Sequence, residues 1–421
     1  MRFKKWAAVG AAVAILAAGL GSTTTNASSD SATLRLWLNA SDTPDSVREY
    51  LIAEFNELHP DAELVIEEQQ WTGLVERLTT ALSSSDSPDV VEMGNTQAQA
   101  FEAAGALLDL TEYTEQFGGD DLLQSLLEAG TYDGRLFGVP YYAGARIVIY
   151  RPDLFEAAGV AVPTTIEEMI AASATLIEAN ADVPNFSGFY LPGRNWHAAL
   201  SFIWDAGGDI AVQEDGEWVG TLSSPESVAG LATFLEVVEV GNRAPVDTDD
   251  ANDYLAFCAG EVAMMPAPGW KPGQVLDAEG GGCPDMEANM AFFAMPGSEA
   301  GTTAPVLLGG SNVAVSANSQ NPELAVDLIT IMASEEYQAQ MAAANLIPAR
   351  ISQLEAVTGS PAAVAQAEAA ANSRFVPTSE FWAGVEAANI LPDMLVAIAQ
   401  GGDIQAEAER ADAAIEELLN G

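Results

Sequence analysis

Apolar and polar positions alternate along the first hundred residues in short blocks of changing period. Residues 34–38 (Leu-Arg-Leu-Trp-Leu) alternate as a strand does. Residues 45–58 place Val47, Leu51, Phe55 and Leu58 on one helical face, closed by His59-Pro60. Residues 62–68 read as a second strand, and 72–85 as a helix with Leu74, Leu78 and Leu82 in register. After Ser87-Pro88, residues 89–93 form a buried strand. Strand–helix–strand–helix–strand predicts a parallel sheet wrapped by helices. Ligands of such sheets sit beyond the carboxyl ends of the strands. Residues 39–41 and 94–97, with Asn39, Ser41 and Asn95 among them, therefore belong at the edge of a cleft.

The stretch 132–159 organises the middle of the chain. It predicts a turn at Asp133-Gly134, a short strand 136–139, then Pro140, and an apolar strand 147–150. Proline lacks the N–H that a central strand donates, so the chain should change course at Pro140. Residues 141–146 then read as a crossing between two lobes. Further on, helices are expected at 165–180, 198–205 and 224–240, with strands at 262–265, ended by Pro266, and at 291–295. Residues 304–315 contain Gly309-Gly310-Ser311 and become a strand again at 312–315. The last hundred residues read as helices at 322–332, 335–343, 360–371, 381–399 and 404–419. Strands recurring after the second lobe has begun imply two lobes that share the chain, with more than one crossing.

Composition narrows the partners. The 421 residues carry 15 basic and 61 acidic side chains, a net charge of −46. Such a surface repels nucleic acid and anionic lipid. The start of the chain holds Arg2, Lys4 and Lys5, then fifteen uncharged residues, 6–20, then small and polar ones. Fifteen residues fall short of the ~20 that cross a bilayer as a helix, so 1–32 reads as an export signal with its linker. Cys258 and Cys283 fit a disulfide in an exported chain; reduced buried thiols or a metal pair are the alternatives.

No hydrolase elbow, zinc motif, phosphate loop or dinucleotide fingerprint is present, and His59 and His197 are the only histidines. No catalytic group, metal or cofactor is indicated. Aromatic residues in polar turns stand out instead: Trp71, Trp196 in Gly-Arg-Asn-Trp-His, Trp270 in Pro-Gly-Trp-Lys-Pro-Gly, and Trp382 in Ser-Glu-Phe-Trp-Ala-Gly. An indole face with hydroxyls and amides around it suits a sugar ring.

Nine marks occur in order, among them Ser-Pro-Asp-Val-Val-Glu-Met-Gly-Asn, Gly-Arg-Leu-Phe-Gly-Val-Pro, Ile-Tyr-Arg-Pro-Asp-Leu-Phe-Glu-Ala-Ala-Gly and Gly-Gly-Ser-Asn. By these the chain, from about Leu34 to Leu419, resembles the family-1 extracellular solute-binding proteins of sugar ABC importers, the maltose/maltodextrin-binding-protein-like group. The resemblance implies an α/β periplasmic-binding-protein-like fold of two lobes, with crossings near 143–147, 308–312 and 348–353. It implies lobes of 33–143 plus 309–350 and of 144–308 plus 351–421, acting as a monomer without enzymatic activity. They close on a carbohydrate like a hinge for delivery to membrane permease subunits. Trp382 matches the family's stacking tryptophan, Trp270 the aromatic after a Gly/Pro turn, and His197 an aromatic position. Tyr142, Arg146, Gly310, Ser311 and Asn312 join Asn39, Ser41, Trp71, Asn95 and Trp196 as expected ligand contacts. Gly144 stands where the maltose binders have an acid, which argues against maltodextrin itself. No lipidated cysteine lies in 19–22, so the implied location is the cell surface or a periplasm. A receptor for polyamines or other cationic solutes and a secreted glycosidase are the competing readings.

Overall fold

The computed structural model describes residues 32–39, 42–71, 73–248, 253–278, 281–344 and 346–421. Nearly all of the expected export segment, and Ser41, lie outside the described residues. No described helix is long and apolar enough to cross a membrane.

Two sheets carry the chain. The larger runs in the order Ile347–Pro348, Gly138–Ala145, Val306–Val315, Val90–Gly94, Ala32–Asn39, Ala62–Gln69, with Ser373–Arg374 beside Val306–Val315. Its first three strands in the sequence are parallel, in register Ala32 with Ala62 and Leu36 with Val90. The smaller runs Ala291–Phe293, Ile147–Tyr150, Val262–Ala267, Ser187–Phe189. Two large cores fill the chain, and the second continues through Leu126, Ala143 and Ile347 towards the first. Leu34, Leu36, Leu51, Phe55, Val139, Tyr141, Val313, Leu328 and Tyr337 fill the first. Val148, Phe189, Phe202, Phe234, Met264, Leu395 and Ile415 fill the second. The two-lobed α/β fold expected from the sequence is the fold observed.

The helices follow their apolar stripes. Asp45–Leu58 buries Val47, Leu51 and Phe55. The Thr165 and Asn195 side chains accept hydrogen bonds from Glu168 N and Ala198 N, starting helices Ile166–Ala179 and Trp196–Asp205. The long helix expected over 381–399 is instead Trp382–Ala387 and Ile390–Ala399. Asn389, at φ 55° in the left-handed region, breaks it.

Two prolines behave otherwise than expected. Strand Gly138–Ala145 runs through Pro140 and pairs along the long strand Val306–Val315. Ser311 faces Tyr142 while Asn312 faces Pro140, so Tyr141 is an extra residue at a bulge, where proline is tolerated. The crossing is correspondingly short, from Ala145 to Ile147. Pro266 likewise sits inside Val262–Ala267, opposite Val148. Pairing with Ser187–Phe189 extends only to Met264, so Pro266 interrupts no ladder on that side.

The glycine pair was expected to interrupt the third long strand, yet Val306–Val315 is continuous. Gly310 has φ +141°, and a Cβ there would lie 2.3 Å from Tyr142 O. Only glycine lets the two crossing strands approach so closely. Gly310→Ala should therefore destabilise the fold by about 2 kcal/mol, read as a lowered urea midpoint. An unchanged midpoint would contradict this packing.

Candidate functional site

The carboxyl ends of the parallel strands converge on one wall of the cleft. Asn39 ends its strand fully buried; its N–H donates to Glu92 Oε2 (2.7 Å) and its Nδ2 to Glu92 O (3.2 Å). Asp42 follows within the same turn. Its Oδ2 accepts from Trp71 Nε1 at 2.7 Å and from Tyr142 O–H at 3.0 Å. Trp71 and Gln97 flank Gly94, and Ser311 lies opposite Gly94 and Tyr142 in the sheet. Asn39, Trp71, Tyr142 and Ser311 are thus brought together, with Asp42, Glu92 and Gln97 among them.

This wall carries unspent acceptors. Asn39 Oδ1, Glu92 Oε1, Gln97 Oε1 and Ser311 Oγ are buried without a hydrogen-bond partner. Leaving such a group unpaired costs ~1–3 kcal/mol, so each favours an incoming donor. Burial pushes the Glu92 carboxyl up to about 7, with the Asp42 charge adding to the shift; the Asn39 N–H and the neighbouring Ser311 and Tyr142 hydroxyls oppose it. Burial, and the nearby Glu92 and Asp42 charges, hold the Tyr142 hydroxyl well above its ordinary range, so it remains a donor.

Along the crossing strand, Tyr142, Gly144 and Arg146 fall on the same side by the two-residue alternation. A Cβ at Gly144 would meet nothing within 4 Å, so the strand faces open space at that position. Within reach of the Arg146 charge, Trp196 stacks on His197 with ring centroids 4.0 Å apart, and Trp382 lies 6.2 Å from Trp196. Trp382 is buried, its Nε1 donating to Glu386 Oε1 at 2.7 Å. Burial, then the charge of Arg146, holds the His197 imidazole well below its ordinary value and therefore neutral. Burial also raises the Glu386 carboxyl. Nearby, Tyr132 O–H donates to Glu380 Oε1 at 3.3 Å.

Other expected contacts stand elsewhere or are already engaged. Asn95 is buried at the start of helix Asn95–Ala103, its Nδ2 donating to Leu308 O and its Oδ1 accepting from Thr96 N. Asn312 Nδ2 donates to Leu126 O and Gly138 O, tying helix Gln124–Ala129 to the sheet. Gly310 packs on the Tyr142 backbone. Trp270 leaves the end of Val262–Ala267, whose Ala267 pairs with Ile147 at the crossing. It is 63% exposed and makes no ring contact with another tryptophan among the described residues. Its partner is Lys271, whose Nζ lies 4.8 Å from its ring centroid. A disulfide joins Cys258 to Cys283 and closes the segment that carries both. A separate polar groove, lined by Glu128, Asp209, Trp218 and Arg374, shares no residue with this cluster.

Gln97 falls in the stretch 94–97 expected at the cleft edge, whereas Asp42, Glu92 and Glu386 were not expected. Glu92 had a signal, as the lone charge in Val-Val-Glu-Met between two turns. Asp42 and Glu386 look like any of the many polar surface positions.

Residues 40–339 match the family model described as bacterial extracellular solute-binding protein. The chain belongs to that family. It is 30% identical over 358 residues to the diacetylchitobiose binding protein DasA of Streptomyces coelicolor, covering 84% of this chain and 82% of the relative. Among solved structures, the sugar-binding protein MalE of Xanthomonas citri superposes with TM-score 0.77 at 22% identity, over 92% of this chain and 97% of that one. The cyclic alpha-maltosyl-1,6-maltose binding protein of Arthrobacter globiformis gives 0.75 at 17%, over 92% and 99%. These two likenesses concern the fold. As a family member, the chain is a solute receptor of the extracellular kind.

Proposed function

We propose that this chain captures a carbohydrate of one to a few rings between its lobes and presents it, unaltered, to the permease of an ABC importer. One observation carries the reading: four buried, unpartnered acceptors gather around Gly94 and Trp71, and a second pair of indoles, Trp196 and Trp382, stands together beside His197. A sugar offers hydroxyl donors at its edge and C–H faces for the rings. The diacetylchitobiose-binding relative and the maltose-type structures support the class. The lobes are 33–143 plus 309–350 and 144–308 plus 351–421, and Trp71, Tyr142, Arg146, Trp196, His197, Ser311 and Trp382 are the contacts. Trp270, exposed after the strand that pairs with the crossing, is a further contact from the second lobe.

Asp42 and Glu92 give the polyamine reading its one specific support, whereas Arg146 near the same space opposes a cation. A thermal-shift panel separates them: diacetylchitobiose, maltose and an arabino-oligosaccharide against spermidine. A ligand at 100 times its Kd stabilises the folded chain by about 2.7 kcal/mol, and a saccharide should do so. Trp196→Ala should abolish most of that shift. A response to spermidine alone sinks the carbohydrate reading, and release of reducing ends from the saccharide sinks the claim that it leaves intact.

A further inference from the structure

Glu92 lies mid-strand in Val90–Gly94 and is fully buried, yet its Oε1 has no partner. The groups packed around it come from every neighbouring element. Asn39 reaches it from the first strand, and Asp42 from the turn after it. Ser311 and Tyr142 adjoin it from the two crossing strands. Tyr141 and Tyr337, bonded to each other through their hydroxyls at 2.9 Å, lie behind it. The cation on this side is Arg48, which acts on Tyr337 and donates its Nε to Thr43 O behind the two tyrosines. Asp42 already receives two hydrogen bonds, from Trp71 and Tyr142, whereas Glu92 Oε2 receives the Asn39 N–H and the Ser311 and Tyr142 hydroxyls only adjoin the carboxyl. Two neighbouring carboxyls in a dry site do not both ionise readily. In the empty cleft the proton therefore rests on Glu92, in keeping with the upward push that burial gives it.

A ligand hydroxyl that seats against Oε1 reverses this preference. A carboxylate accepting a strong hydrogen bond is favoured over the acid, which has one acceptor position fewer. We propose that Glu92 is the specificity-determining acceptor of the cleft and gives its proton to solvent as the ligand hydroxyl binds, so that capture is linked to proton release. The O–H bond of the ligand stays intact; the carboxyl O–H is the bond that breaks, and water or buffer takes the proton. The inference rests on the carbohydrate reading, and it selects for a ring whose hydroxyl points at the wall formed by Asn39, Glu92 and Ser311. Capture should weaken as pH falls through 7, by about tenfold per unit below it, and level off above.

Titration calorimetry with diacetylchitobiose, in phosphate and in Tris, tests the linkage. Wild-type protein should release about half a proton per ligand at pH 7 and nearly one at pH 6, and Glu92→Gln none. Binding heats that do not depend on the buffer overturn the proposal. A chain that binds no saccharide fails the carbohydrate reading instead, and the empty protein then tests Glu92 by itself. Between pH 4.5 and 8 its unfolding constant, relative to Glu92→Gln, should rise about 100-fold, because the folded state holds the proton longer. A ratio that stays constant shows that Glu92 carries no proton in the folded state and overturns the proposal.

Discussion

Lys271→Met should unfold the protein about 3–5 kcal/mol more easily than wild type. Lys271 is 1% exposed and its Nζ donates to Asp253 Oδ1 at 2.7 Å, with Asp253 itself 2% exposed. Taking one partner away leaves a buried carboxylate without its counter-charge, which costs about that much. The loss should fall on the satellite core of Tyr254, Phe257, Val262, Met265 and Val275, which surrounds the pair. Urea titration reads it directly. The companion variant Lys271→Met with Asp253→Leu should recover most of the loss, because a well-packed apolar pair of similar volume often equals a buried ion pair. A single variant within 1 kcal/mol of wild type would mean that the pair is no anchor.

A second large effect belongs to Glu102 and has the opposite sign. Its side chain is 3% exposed in helix Asn95–Ala103, and neither carboxyl oxygen has a hydrogen-bond partner. Burial pushes this carboxyl up to about 8. A raised carboxyl favours the folded state fully below its unfolded value of 4.5, and that advantage is lost as pH rises through 8. Glu102→Met removes the titration and keeps the volume. Its stability advantage over wild type should widen by about 4 kcal/mol between pH 4 and pH 8. The check is a pair of urea titrations at each pH. A gap that does not change with pH would show that Glu102 finds a partner and ionises normally.

Much of this architecture is legible in local patterns. Helix Asp45–Leu58 comes out with its observed bounds because the apolar period and the following His-Pro mark both ends. Glu335–Ala343 and Ile404–Leu419 do so for similar reasons. What misleads is anything decided by a neighbour distant in the sequence. Pro140 is tolerated because Val306–Val315 accommodates a bulge, and Pro266 because the adjacent strand has already ended. Neither fact is written near the proline.

The site divides the same way. Trp196 and Trp382 stand out by type, and the fold brings them to 6.2 Å. Asn95 and Asn312 share the polar character of ligand contacts and turn their amide nitrogens to backbone carbonyls, though Asn312 Oδ1 keeps no partner. Asp42 matters only because Trp71 and Tyr142, 29 and 100 residues further on, point their donors at it.

The buried lysine also sets the surface chemistry of the folded chain. Past Lys5 the sequence contains no other lysine than Lys271. Residues 32–421 therefore offer no side-chain amine to an activated ester, an aldehyde or an acetylating agent while the fold holds. Acylation of Lys271 requires its segment to open first, so mass-spectrometric uptake of one acyl group becomes a clock for that opening. Saccharides that hold the lobes together should slow the clock wherever the Trp270 contact rides on the same segment.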